Sequence, residues 1–383
     1  MRILHTADWH AGKMLRNRSR ADEQEKVFAE IVEIARREHV DVVLIAGDVF
    51  ESYAPSPDAE RLVYSALSGL IGSGIPAIVI GGNHDHPKRL AALREILAPL
   101  NVFVRAEPQR PEAGGIIEIH ARNEVARIAV LPWVPEHRIV DICQLMQPED
   151  TWYSTYAENV SAMCQRLAAG FSEATINILA AHLFAFGAQS SGTERAVHVS
   201  QPFAIDPSRF PASAQYVALG HLHRPQEIIC PTRCCYAGSP LQLDFGEREQ
   251  AKRIVIVDVT AGNPAHLESI PLSSGKRLRQ LEGTLSELKA QADSVGEDFL
   301  KIVIKTETHI PGIADEVRDL FRNALEVRQD CPHDEDRVPE ANGTRHPHEL
   351  FADFFRESRG SDPSEEITSA FQNLFREATS APD

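Results

Sequence analysis

What most constrains this chain is a series of short β-branched apolar runs over its first 260 residues, each followed by a turn rich in Gly, Asp, Asn or His and usually by a helical pattern. The clearest runs are residues 2–5, 40–45, 77–80, 126–131, 176–180, 216–219 and 253–259. Between the first two, residues 22–37 carry Val27, Ile31 and Ile34 at helical spacing. Strands that are apolar on both faces must be covered on both faces, and in α/β proteins helices do the covering. The residues by themselves therefore predict an α/β chain with a doubly wound sheet. Polar side chains crowd just beyond the carboxyl ends of the strands, which is where open α/β sheets bind ligands.

After Val259 the pattern changes. Residues 277–280, 284–293, 300–306 and 314–324 read strand, helix, strand, helix, with 325–327 as a closing strand, so a small α+β module is expected. A polar, Pro-containing stretch follows. Beyond it, Leu350, Phe351, Phe354 and Phe355 would line one helix face, and Ile367, Phe371, Leu374 and Phe375 another, with Gly360-Ser361-Asp362-Pro363 as the break. The division expected is 1–270 for the main domain, 271–328 for the module, 329–346 for a linker and 347–383 for a helical tail segment.

Composition narrows the class. With 43% hydrophobic and 25% charged residues among 383, the chain has the balance of a folded protein and enough length for one large core, a module and a tail. The opening residues lack an apolar leader, no stretch reaches the length of a membrane span, and six cysteines are few, so the cytoplasm is the expected location. Cys230, Cys234 and Cys235 lack the second pair that a zinc site needs, and free thiols are expected. A net charge of −16 argues against a nucleic-acid partner until its distribution is considered. Residues 329–383 hold thirteen acidic and five basic side chains, half of the excess. No Gly-x-x-x-x-Gly-Lys-Ser/Thr sequence occurs, so any ATP dependence must come from another protein.

Five segments place metal-capable side chains directly after a strand: Asp8-Trp9-His10, Gly47-Asp48, Gly82-Asn83-His84-Asp85, Ala181-His182 and Gly220-His221-Leu222-His223. Any one alone is an ordinary turn or a hydrogen-bonded histidine. Five together, at independent strand ends, point to a shared site. Carboxylate, amide and imidazole ligands without thiolate suit manganese, iron or zinc in an open site. Asp48 can bridge two ions, leaving the other segments to complete both. A pair of ions a few ångströms apart activates water and stabilises the attacking and leaving oxygens of an in-line displacement, which makes phosphoryl hydrolysis the favoured reaction.

In this order, Asp-x-His, Gly-Asp, Gly-Asn-His-Asp, a lone His and Gly-His-x-His resemble the calcineurin-like metallophosphoesterases. Residues 3–10, Gly47-Asp48-Val49-Phe50, Tyr236-Ala237-Gly238-Ser239-Pro240 and Phe245-Gly246-Glu247 further resemble the SbcD-like nuclease branch of that family. The resemblance implies a two-layer β-sandwich flanked by helices, with mixed sheets, in place of the doubly wound sheet. It implies one metal held by Asp8, His10, Asp48 and His223, and another by Asp48, Asn83, His182 and His221, with Mn2+ the favoured ion. His84 would assist the leaving oxygen, and Asp85 would orient its ring. Glu51-Ser52 stands where some relatives carry another catalytic histidine, and no role is assigned to Glu51; His86, His120 and His198 are not expected to be ligands.

The module resembles a capping domain that positions duplex DNA, with Arg277, Arg279 and Lys301 as candidate phosphate contacts. The implied activity is metal-dependent hydrolysis of DNA phosphodiester bonds, 3′–5′ exonuclease on duplex ends and endonuclease on hairpins, in DNA repair and recombination. The implied partner is an SbcC-like coiled-coil ATPase, bound through the C-terminal helices, in a heterotetramer containing a homodimer of this chain. Two competing readings are a small-molecule phosphodiesterase or phosphatase of the same superfamily, and a non-catalytic scaffold.

Overall fold

The computed structural model describes residues 1–139, 155–200 and 203–331, and, beyond those, 351–352, 355–356, 362–364 and 367–371. Two six-stranded sheets form the centre. In the first, the strands run in the order His266–Pro271, Arg253–Asp258, Arg2–Thr6, Val42–Ile45, Ala77–Ile80, Val102–Arg105, parallel from Arg2–Thr6 onward and antiparallel at the other edge. In the second the order is Gln226–Glu227, Arg233–Tyr236, Tyr216–Gly220, Ile176–His182, Glu124–Leu131, Ile116–Ala121, with four parallel strands between antiparallel edges.

The inner faces pack on each other. Ile3, Val42, Leu44, Ile78 and Ile80 of the first sheet share one buried cluster with Ile128, Val130, Ile176, Ile178, Tyr216 and Ala218 of the second. Helices cover only the outer faces. Helix Ala21–Arg37 buries Val27, Phe28, Ile31 and Ile34, and helix Pro57–Gly72 buries Leu62, Val63 and Leu67, both against the first sheet. Helix Tyr156–Ala168 lays Val160, Met163 and Leu167 on the second. The doubly wound expectation is thus corrected to a sandwich: each strand is indeed apolar on both faces, but one of those faces meets the other sheet.

Side-chain caps start two of these helices. The Ser56 side chain accepts from the Ala59 N–H with Pro57 in the first turn, and Thr155 with Glu158 forms a reciprocal capping box. The same box, Thr284 with Glu287, opens helix Leu285–Gln291 in the small module. That module has three parallel strands, Leu278–Gly283, Phe299–Lys305 and Ala324–Asp330, joined through helices and closed over a core of their own. Its Leu278 and Phe299 pack with Leu15 and Phe245 of the main body, and Arg18, Arg20 and Lys276 surround the Phe299 ring at 5.2–5.8 Å. Most of the Phe-rich tail lies outside the described residues; within them, the Phe351 and Phe371 rings stack at 4.2 Å.

Candidate metal centre

All parallel strands of both sheets end at the same side of the sandwich, and the expected site residues lie there. Backbone bonds zip the first two loops together, from Asp8 N to the Gly47 carbonyl (2.9 Å), His10 N to that of Asp48 (3.0 Å) and Ala11 N to that of Val49 (3.0 Å). Trp9, buried against Phe28 and donating to Thr6 Oγ1, forces its neighbours Asp8 and His10 to the opposite side. Asp8, His10, Asp48 and His221 all take positive φ, a concentration of backbone strain at one place. Two glycines allow the loops to close. A Cβ at Gly47 would lie 2.1 Å from His182 Nδ1, and one at Gly220 1.8 Å from the Ala46 carbonyl oxygen. The closeness they permit is of one loop to another across the seam between the sheets.

The side chains form a cage of acceptors. Ligand atoms of Asp48, His182 and His221 lie within 4.8 Å of one another, as do those of His10, Asp48 and His84. The hydrogen bonds at the rear of each ring fix its tautomer, because a carbonyl or carboxylate oxygen can only accept. His182 Nδ1–H donates to the Ala46 carbonyl (2.8 Å), and His221 Nε2–H to that of His198 (3.3 Å). His10 Nδ1–H donates to Glu51 (2.8 Å), and His223 Nδ1 meets Thr193 Oγ1, whose own proton goes to Glu247 (2.6 Å). The lone pairs therefore point inward: His10 Nε2 and His223 Nε2 face each other at 3.0 Å, and His182 Nε2 and His221 Nδ1 sit 3.1 and 2.8 Å from Asn83 Oδ1. Asp8 Oδ2 is buried with no partner, and Asp48 Oδ2 lies 3.4 and 3.7 Å from His182 and His10. Facing lone pairs and an orphaned carboxylate oxygen, all out of water, fit a bound cation.

Electrostatics agree. Burial opposes ionisation of Asp48, but the charge and hydrogen bond of His182, with His84 and His10, hold it well below the usual carboxylate range. Burial likewise opposes charge on His182, yet Asp48 and Asp8 lift it to about 9. Burial pushes Asp8 up to about 7. The carboxylates thus draw positive charge to the inward face of His182, where a bound cation would supply it in place of a proton.

His84 stands beside this cage, its backbone N–H on Asp48 Oδ1 (2.8 Å) and its ring against His10 at 4.8 Å. Its Nδ1–H donates to the Glu51 carbonyl (2.8 Å), and burial lowers its pKa to about 4. The expected contact from Asp85 to this ring is not made. Asp85 accepts instead from the backbone N–H groups of Gly82, Val49 and Phe50, tying the second loop to the third, because its buried oxygens are fully taken up by main chain.

Sequence reading missed the residues behind the cage. Glu51, given no role, holds His10 through its carboxylate and His84 through its carbonyl; burial opposes its charge, but the His10 hydrogen bond keeps its pKa at about 2. Thr193, Glu194 and Glu247 support His223, and the buried Lys252 spans Glu247 (2.8 Å) and the His223 carbonyl (2.7 Å). Glu247 belonged to a segment singled out above, but nothing in its spacing connects it to a histidine 24 positions earlier. His86 accepts from Arg89 N at the start of helix Pro87–Ala92. Arg279 is engaged with the Ser294 carbonyl and Lys301 with Glu326. Among the described cysteines all five are free.

The sandwich with this cage at its strand ends defines a metal-dependent phosphoesterase, and the chain belongs to the calcineurin-like phosphoesterase family, whose family model matches residues 1–225. A second family model, the type 5 capsule protein repressor C-terminal domain, matches residues 274–359. Within the family the likeness is to nuclease SbcCD D subunits. The chain is 36% identical to that of Bacillus subtilis over 280 residues, 73% of this chain and 71% of the relative. It is 34% identical to that of Rhodobacter capsulatus over 280 residues (70% and 69%) and 29% to that of Escherichia coli K12 over 342 residues (84% and 82%).

Proposed function

We propose that this chain is the nuclease subunit of an SbcCD-like complex and hydrolyses phosphodiester bonds of DNA with two divalent cations, Mn2+ the favoured ion. The observation that carries the reading is the acceptor-only cage, with both carboxylates and four tautomer-fixed imidazoles aimed at one volume. Asp8, His10, Asp48 and His223 would hold one cation, and Asp48, Asn83, His182 and His221 the other. When bound, such a pair polarises the phosphoryl group and activates water.

The remaining chemistry belongs to the chain. Glu51 keeps the His10 lone pair turned inward, and Thr193 with Glu247 does the same for His223. His84 is the residue for the leaving oxygen. With its proton on Nδ1 at neutral pH, Nε2 can donate only if the ring is charged, and the phosphate anion supplies that bias. Residues 1–270 form the catalytic domain in this proposal, 271–328 the DNA-positioning cap, 329–346 a linker and 347–383 the segment that binds a coiled-coil ATPase. In this reading the substrates are DNA ends and hairpins, the assembly is a heterotetramer containing a homodimer of this chain, and the setting is the cytoplasm; the relatives' name, a D subunit of a nuclease, supports a nuclease with a second kind of subunit. The test is a substrate panel with Mn2+. Duplex DNA ends should be cleaved in preference to cyclic nucleotides and phosphopeptides, and a preference for either of the others would overturn the DNA assignment.

A further inference from the structure

Strand Glu124–Leu131 of the second sheet reaches the metal end without offering a ligand, and just beyond it the chain places Trp133. Trp133 is buried, and its backbone N–H donates to the Gly81 carbonyl (2.9 Å), which lies at the end of a strand of the facing sheet in the loop that carries Asn83. Its ring lies against three imidazoles. It stacks on His221 at 25° with centroids 5.1 Å apart, meets His182 edge-on at 6.3 Å and leans on His198 at 4.6 Å. Phe203 stacks on the indole at 6.3 Å, and Tyr156, whose hydroxyl donates to the Val134 carbonyl (2.8 Å), packs against Phe203 at 4.7 Å. Main chain and neighbouring rings together hold the indole in one orientation.

His221 needs such a support more than the other proposed histidine ligands do. Their rear bonds are short: His10 to Glu51 at 2.8 Å, His182 to the Ala46 carbonyl at 2.8 Å, and His223 to Thr193 Oγ1 at 2.5 Å. His221 Nε2 reaches the His198 carbonyl only at 3.3 Å, and its backbone takes a φ of +103°. A bond of that length lies beyond the usual N–H···O range and fixes a ring plane weakly, whereas a stacked aromatic face resists tilting of the ring. Trp133 bears on His221 directly, on its rear acceptor through the His198 ring, and on Asn83 through Gly81. Asn83 Oδ1 and His221 Nδ1, 2.8 Å apart, are proposed ligands of the same cation.

We infer that Trp133 is a positioning residue for one of the two cations, holding the His221 ring in the plane at which Nδ1 faces Asn83. This rests on the two-metal reading above. A tryptophan that only filled the core would loosen both halves of the cage alike, so the test must resolve the two binding steps.

Full-length wild type, Trp133→Leu, Trp133→Phe, His221→Gln and the double variant Trp133→Leu/His221→Gln are titrated with Mn2+, and free ion is read by electron paramagnetic resonance. Trp133→Leu should weaken one of two binding steps about tenfold, as loss of a ligand's support does, and leave the other within about twofold. Trp133→Phe, which keeps a ring face, should stay within about threefold of wild type at both steps. In the His221→Gln background Trp133→Leu should cost less than about twofold more, because the ring it positions is gone. Equal weakening of both steps, no weakening, or full additivity in the double variant would overturn the inference. Trp133→Met, unbranched and without a ring, is read in the same way if Trp133→Leu does not fold. A wild type that binds fewer than two ions would remove the two-metal reading itself; two ions in wild type with both steps intact in Trp133→Leu would remove only Trp133.

Discussion

At the scale of single residues, two of the histidines outside the proposed ligand set make the sharpest demands. His84 lies against His10 yet keeps its Nδ1 on a main-chain carbonyl, so removing its ring should spare the cations and damage the chemistry. For His84→Gln, cleavage of a labelled duplex is expected to fall at least ~100-fold with metal content retained. Equal rates would take His84 out of the mechanism. His5 lies between the sheets with Tyr216 Oη at 2.8 Å, and burial drives its pKa from 6.5 to about 3. Its folded-state pKa is depressed, so its contribution is intact above pH 6.5 and is lost as pH falls toward 3, where the unfolded chain binds the proton first. A slope of about 1.4 kcal/mol per pH unit follows for one proton. Thermal melts between pH 6.5 and 4.5 should therefore steepen in the wild type and be shallower in His5→Gln; parallel curves would contradict the assignment. The segments that carry the nine expected residues were legible because each lies at or shortly after a strand end, although Asp85 bonds main chain and not the His84 ring expected of it. Glu51, Thr193 and Glu247 were not, because their task is defined by a partner far away in the chain.

At the scale of elements, the loops matter more than the strands that lead to them. Gly47 has φ of +94° and no room for a methyl group beside His182, so Gly47→Ala must displace that ring or break the loop. It should lower stability by about 1–3 kcal/mol and reduce bound metal. Gly72, with nothing within 4 Å of an added Cβ, is the control, and Gly72→Ala should be neutral or stabilising by about 0.4–1 kcal/mol. Denaturant midpoints and metal content measure both, and similar values for the two variants would sink the close-approach argument. Most of the strands read from the sequence lie within two residues of the observed ends, as at Ala77–Ile80, whereas Val102–Arg105, Ile116–Ala121, Arg233–Tyr236 and His266–Pro271 are not read as strands. What covers them was not legible. A segment such as Ile176–His182, buried at every position, records that both faces are dry without saying whether a helix or a second sheet dries them. Only the family resemblance distinguished the sandwich.

At the scale of the whole molecule, the small module is joined to the catalytic body close to the chemistry. Leu278 and Phe299 meet Leu15, and Arg16 pairs with Glu326, in the hairpin that begins four residues after His10. In the proposed reading the tail is separable from this arrangement. Deleting residues 345–383 should abolish binding of the coiled-coil ATPase, measured by co-purification, and leave Mn2+-dependent hydrolysis of a simple phosphodiester within about twofold of the full chain, inside the range of ordinary surface changes. Loss of both activities would contradict the modular division.

The seam between the sheets has a thermodynamic consequence. Asp8, His10, Asp48 and Asn83 hang from one layer, and His182, His221 and His223 from the other. Any cation gripped by both acts as a rivet through the sandwich, and separating the layers must first extract it. Ion loading and mechanical cohesion are then one property: a chelated sample should melt earlier than a saturated one by an increment that grows with the logarithm of free ion concentration.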